Sequence, residues 1–70
     1  IDEDIHERLE YILNSLPEKQ REVLLLHVVE KKKVREIAEE MDIAETTVKT
    51  HFQRALSILR NNLKFILFGI

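Results

Sequence analysis

The sequence predicts an all-α fold: a four-helix domain with a C-terminal helix-turn-helix and a long final helix. Three observations carry the prediction. Gly69 is the only glycine and Pro17 the only proline in 70 residues, whereas hairpins and sandwiches need such residues at their turns. Apolar residues recur at spacings of three and four along most of the chain, the period of a helix with one buried face. Charged residues make up 34% and aromatic ones only 6%, a composition suited to a small soluble helical domain. Residues 1–70 read as one domain. Its stability is expected to be marginal, because so short a chain buries a modest share of its surface. The chain starts at an isoleucine, so an upstream portion of a longer parent is expected.

The first helix is expected over about 3–14. Ile5, Leu9, Ile12 and Leu13, followed by Leu16, form one apolar stripe, and Asp2, Glu3 and Asp4 suit the positive dipole end. Asn14-Ser15-Leu16-Pro17 breaks the pattern. Ser15 and Glu18 have capping-box spacing, and Pro17 fits a first helical turn. The second helix is expected from about Leu16 or Pro17 to Glu30. Its centre, Val23-Leu24-Leu25-Leu26-His27-Val28-Val29, is apolar nearly all round, more than one stripe requires. That surplus predicts either burial on two sides or a docking surface for another protein. Lys31-Lys32-Lys33 ends the helix with charge that suits its negative dipole end.

The third helix is expected over about 34–41, with Val34, Ile37, Ala38 and Met41 on one face. Asp42-Ile43-Ala44 is the turn. The fourth helix begins near Glu45 and runs to about Leu67. Val48, Phe52, Ala55, Leu56 and Leu59 are expected to pack inward. Glu45, Thr46, Lys49, Thr50, Gln53 and Arg54 are left largely outward, and Thr47 is expected to pack against the turn. Leu63 and Leu67 either finish the packing of this helix on the first or belong to an exposed apolar patch.

Composition also excludes function classes. There is no cysteine, so disulfides and thiolate metal sites are out. His6, His27 and His51 lie apart, without the spacing of a zinc site. His27 is expected to be partly buried or at an interface, and His51 to be solvated or within reach of a phosphate. Adjacent carboxylates such as Glu39-Glu40 do not make a catalytic site without a pocket, and a chain this small offers little room for one. No enzyme activity and no cofactor are expected. No apolar run reaches the ~20 residues that span a bilayer and no secretory signal opens the chain; the expectation is a cytoplasmic protein without direct membrane insertion.

The net charge of −2 hides a division. Residues 1–30 carry three basic and eight acidic side chains, net −5, and residues 31–70 carry eight and five, net +3. The cationic half holds the helix-turn-helix pattern, the usual device for laying one helix in the major groove of DNA. Such a helix needs an apolar seam, short polar groups near its N-terminus to meet base edges, and cations to meet phosphates. Glu45 can accept from a cytosine amino group, Thr46 and Thr50 can hydrogen-bond or touch a thymine methyl, and Lys49 can donate to guanine. Arg54 lies two turns on, where a groove-bound helix emerges towards the backbone. Arg35 and the lysines at 31–33 stand where the first helix of the motif crosses it. The same periodicity also fits an amphipathic helix with a solvated face, and the residues alone leave both readings open.

Leu16-Pro17-Glu18-Lys19-Gln20-Arg21-Glu22-Val23, then Arg35-Glu36-Ile37-Ala38-Glu39-Glu40-Met41-Asp42-Ile43, then Thr47-Val48-Lys49 and Arg54-Ala55-Leu56, strongly resemble region four of bacterial sigma factors. The likeness is to the extracytoplasmic-function group, particularly its Bacteroidetes-type members, and covers about residues 5–65. It implies a domain that reads the −35 element of double-stranded promoter DNA and docks on the β flap of the RNA polymerase core, with an anti-sigma factor as a further partner. By position, it implies Glu45, Thr46, Lys49 and Thr50 as base-edge readers. Lys33, Arg35, Gln53 and Arg54 would be phosphate anchors. The chain departs from the family where Lys31 replaces a usual glycine, Lys33 a capping Ser or Thr, Asp42 a glycine and Ala44 another capping hydroxyl. Each lost hydroxyl cap is expected to cost ~1 kcal/mol, while Asp42 tolerates the left-handed conformation better than most residues.

Two rival readings stand beside this one. The Glu-Ile-Ala and Thr-Val-Lys features also occur in LuxR-type regulators, which carry a different block upstream. A helical bundle that has lost DNA binding and holds an anti-sigma or receptor partner would account for the acidic half and the apolar surplus of the second helix.

Overall fold

The computed structural model describes the backbone of residues 3–68 and the side chains of residues 6–62. It contains α1 (Glu3–Ser15), α2 (Glu18–Val28), α3 (Val34–Met41) and α4 (Glu45–Phe68), in the order and nearly at the limits the sequence predicts. Described backbone is otherwise turn and loop, without a strand. Ile5, Leu63 and Leu67, expected on apolar faces, lie outside the described side chains, as does the apolar C-terminal stretch.

α1 buries Ile12 and, just beyond its end, Leu16. The junction to α2 is not the capping box that Ser15 and Glu18 would make. The Ser15 hydroxyl donates back to the Ile12 carbonyl at 2.7 Å, so it is spent inside α1. Pro17 occupies the N-cap of α2 with φ −53° and ψ 144° and no side-chain cap. Its fixed φ and its missing N–H already suit a helix entry. Arg21 supplies a different tie, donating from Nη1 to the Asn14 carbonyl at 3.2 Å, where a cation meets the negative end of α1.

α2 ends at Val28, two residues short of the expected Glu30. Lys31 then adopts φ 57°, the left-handed region that disfavours a side chain by roughly 1–2 kcal/mol. This is the position where the resemblance called for glycine, and the backbone supplies the reason. Lys31→Gly is expected to raise stability by about 0.5–1 kcal/mol, the relief of φ strain less the added freedom of the unfolded chain. A thermal melt that moves down instead would show that this turn does not hold Lys31 in that conformation.

The core has two parts. Val23, Leu26, Ile37, Ala38 and Val48 are buried together where α2, α3 and α4 meet. Leu16, Leu24 and Ala55 form the second part nearer α1. Phe52 packs against both, so one α4 ring joins the helix-turn-helix to the rest of the domain. Thr47 is half-buried, as expected beside the turn.

Leu56 corrects the expected packing of α4: it is 40% exposed, while Ile58 and Leu59 are half-buried against the second cluster. The seam of α4 is rotated away from Leu56, and His51, Ile58 and Asn62 take the half-buried flank. The surplus of α2 is not buried on two sides either. Val23, Leu24 and Leu26 point inward, but Leu25, Val28 and Val29 remain exposed. No helix among the described residues is long and apolar enough to cross a membrane.

Candidate nucleic-acid interface

The turn between α3 and α4 sets the pose of the interface. Asp42 takes φ 56° and ψ 50°, the left-handed C-cap for which Asp is one of the better non-glycine residues. Its N–H reaches the Ala38 and Glu39 carbonyls, and Ile43 N–H donates to Ala38 O at 3.0 Å. This is the Schellman closure, with a hydrophobic residue just beyond it: Ile43 packs on the core beside Ala38. The chain then enters α4 at once, since Val48 N–H donates to Ala44 O at 3.1 Å.

All eight predicted contact residues are exposed: Lys33, Arg35, Glu45, Thr46, Lys49, Thr50, Gln53 and Arg54. On α4 they fall into rows four residues apart, Glu45-Lys49-Gln53 and Thr46-Thr50-Arg54, which run side by side on one face. The structure brings these six together on the first turns of α4. Glu45 stands at the positive end of the helix. Glu45 and Lys49 have the spacing of a helical ion pair, yet the pairs formed among the described residues are His6–Glu10 and those of Lys32 with Glu30 and Glu40. The Thr50 hydroxyl donates to the Thr46 carbonyl at 3.0 Å.

The cationic segment before α3 is sorted by its partners. Lys32 is paired within the domain. Its ammonium is hydrogen-bonded to Glu40 and lies 3.8 Å from Glu30. The hydrogen bond it donates to Glu40 is the main cause that raises its pKa above the ordinary lysine value, with Coulombic attraction from Glu40, Glu30 and Glu36 adding to it. Lys32 thus stays charged at neutral pH and ties the segment to α3, while Lys31 and Lys33 are exposed on either side. Lys33 is the N-cap of α3 in extended backbone, and its N–H donates to Glu36 Oε1 at 2.8 Å. That is half of a capping box. A lysine side chain has no acceptor to complete the other half. Lys33→Ser would complete it and is expected to stabilise the domain by about 1 kcal/mol while weakening DNA binding. Melting temperature and duplex affinity test the exchange of helix stability for phosphate attraction, and an unchanged value of either defeats it.

Arg35 has a different setting. A shallow polar hollow groups it with Glu39, Asp42 and Glu45, so its field is partly offset by carboxylates. On the other side, a hollow of about 100 Å³ between α2, α3 and α4 brings His27, Lys49 and Gln53 to one rim.

Of the two expectations for His27, partial burial does not hold: the side chain is exposed. Its Nδ1 donates to the Lys32 carbonyl at 2.9 Å, and its ring meets Phe52 edge-on at 4.9 Å. It therefore links α2, the lysine segment and α4. The signal was its place in the last turn of α2, where a histidine can satisfy a free carbonyl. His51 is half-buried on the rotated flank of α4, and its buried Nδ1 meets no partner among the described residues. It belongs to the packing and not to the outward face.

The family model described as Sigma-70, region 4 matches residues 6–59. Neither the curated proteins nor the solved structures compared with the chain give a significant match. Region 4 is a helix-turn-helix, DNA-binding domain of non-enzymatic transcription factors that recognise the −35 promoter element, and the four helices and the left-handed turn described above are that arrangement. The chain belongs to the sigma-70 region 4 family.

Proposed function

We propose that Glu45, Thr46, Lys49 and Thr50 read the base edges of a −35 element, and that Lys33, Arg35, Gln53 and Arg54 hold its phosphates. The observation that carries this reading is the exposed double row on the first turns of α4, with charged groups not consumed by ion pairs among the described residues. Phosphate contacts supply affinity and base contacts supply register. Few cations and nearby carboxylates make for weak binding by the domain alone, with a salt slope set by the small number of phosphates held. Docking on the RNA polymerase β flap would raise its effective concentration at the promoter. The exposed Leu25 and Val28 on α2 and Val29 just beyond it are the apolar surface on which that docking would draw.

The test is an amide-shift titration of the chain with a −35-like duplex at ~50 mM salt, where phosphate attraction is strong. Shifts clustered over Glu45–Arg54 are expected. If α4 stays silent at that salt, the domain is better read as a bundle that holds a protein partner such as an anti-sigma factor through α2.

A further inference from the structure

The hydrogen bond inside the recognition face limits what that face can read. A threonine hydroxyl has one proton and two lone pairs. In Thr50 the proton is committed to the Thr46 carbonyl, one turn back at 3.0 Å. This is the back-bond by which helical threonines satisfy themselves. What Thr50 offers outward is therefore an acceptor and a methyl group, not a donor. Glu45, at the start of the same face, is a carboxylate and also only accepts. Between them stands Lys49, which only donates. All three are exposed.

In the major groove, adenine N6 and cytosine N4 carry amino donors, whereas guanine O6 and thymine O4 are acceptors. Resting on the proposed base-reading role of α4, we propose that Thr50 is a specificity residue that selects an amino-bearing base, adenine or cytosine, over a keto-bearing one, guanine or thymine. Glu45 selects in the same sense and Lys49 in the opposite one. The face accordingly reads the orientation of a base pair at Thr50. It accepts A·T or C·G with the amino group on the near strand and rejects the reversed pairs, in which a keto oxygen meets the hydroxyl lone pair. The pattern differs from a purine–pyrimidine split and from an A·T–G·C split, so it can be recognised without knowing the promoter in advance.

The test is selection and sequencing of bound duplexes from a pool randomised across a −35-like site, at ~50 mM salt. The wild-type chain is compared with Thr50→Val, which keeps the size and loses the acceptor, and Thr50→Ser, which keeps the hydroxyl and loses the methyl. For wild type, one position is expected to favour A or C over G or T by roughly 5- to 150-fold, the range of a good base contact. Thr50→Val should level that position alone and leave the others, and Thr50→Ser should preserve it. The inference is overturned if Thr50→Val retains the split, if the Thr50-dependent position favours G or T, or if Thr50→Ser levels it as fully as valine, which would make the methyl the reader. A wild-type chain without preference at any position would remove the base-reading role itself. A preference that survives at other positions while Thr50 proves neutral removes only the present inference.

Discussion

Ile37→Ala is expected to destabilise the domain by about 2–5 kcal/mol, the usual range for emptying a fully buried aliphatic site. Ile37 is 0% exposed and sits between Val23 and Leu26 of α2 and Val48 of α4. α3 has only eight residues, too few to persist as a helix without its packing. The cavity would therefore be felt in the placement of α3 and of the turn that aims α4. A domain of this size is expected to have only ~3–10 kcal/mol in hand, and each kcal/mol moves its melting point by about 4–8 °C. The variant should melt at least ~8 °C lower, or fail to fold near room temperature. Tyr11→Ala, at a side chain 75% exposed, should stay within ~0.5 kcal/mol. Equal melting of the two variants would mean that α3 does not pack as described.

What the sequence could disclose followed from local rules. The four helices came from spacing, the turn from Asp42-Ile43-Ala44, and the left-handed Asp42 from the tolerance of that side chain. Six of the eight candidate contact residues came from the outward side of the α4 pattern and two, Lys33 and Arg35, from the segment that opens α3, and all eight are exposed. The misreadings share a cause of another kind. Leu56 and His51 lie at the margins of the α4 seam, and only the position of α1 and α2 decides which margin is covered. Spacing within one helix does not contain that information. Ser15 had a choice between capping α2 and bonding back to Ile12, and Pro17 made the cap dispensable. Lys32 is separated by eight residues from Glu40, so its capture depends on how the segment folds back on α3. One lysine of the three is thereby offset by carboxylates that lie apart from it in the sequence.

Lys49→Ala and Arg54→Ala should separate reading from anchoring. Both side chains are exposed on α4, and both carry one positive charge, so a purely electrostatic interface would respond to them alike. Their positions differ. Lys49 lies one turn from the start of α4, beside Glu45 and Thr50, where a groove-bound helix meets base edges. Arg54 lies beyond Thr50 in its row, where the helix leaves the groove for the backbone. Loss of Lys49 is expected to change preference at one base pair by about 1–3 kcal/mol, with smaller effects on duplexes that already lack the favoured base there. Loss of Arg54 is expected to weaken every duplex to a similar degree and to lower the salt slope by about one. Affinities for a panel of single-base variants at two or more salt concentrations distinguish the cases. If the two alanine variants shift the whole panel in parallel, Lys49 is a phosphate contact like Arg54, and the recognition face must be redrawn around Glu45, Thr46 and Thr50.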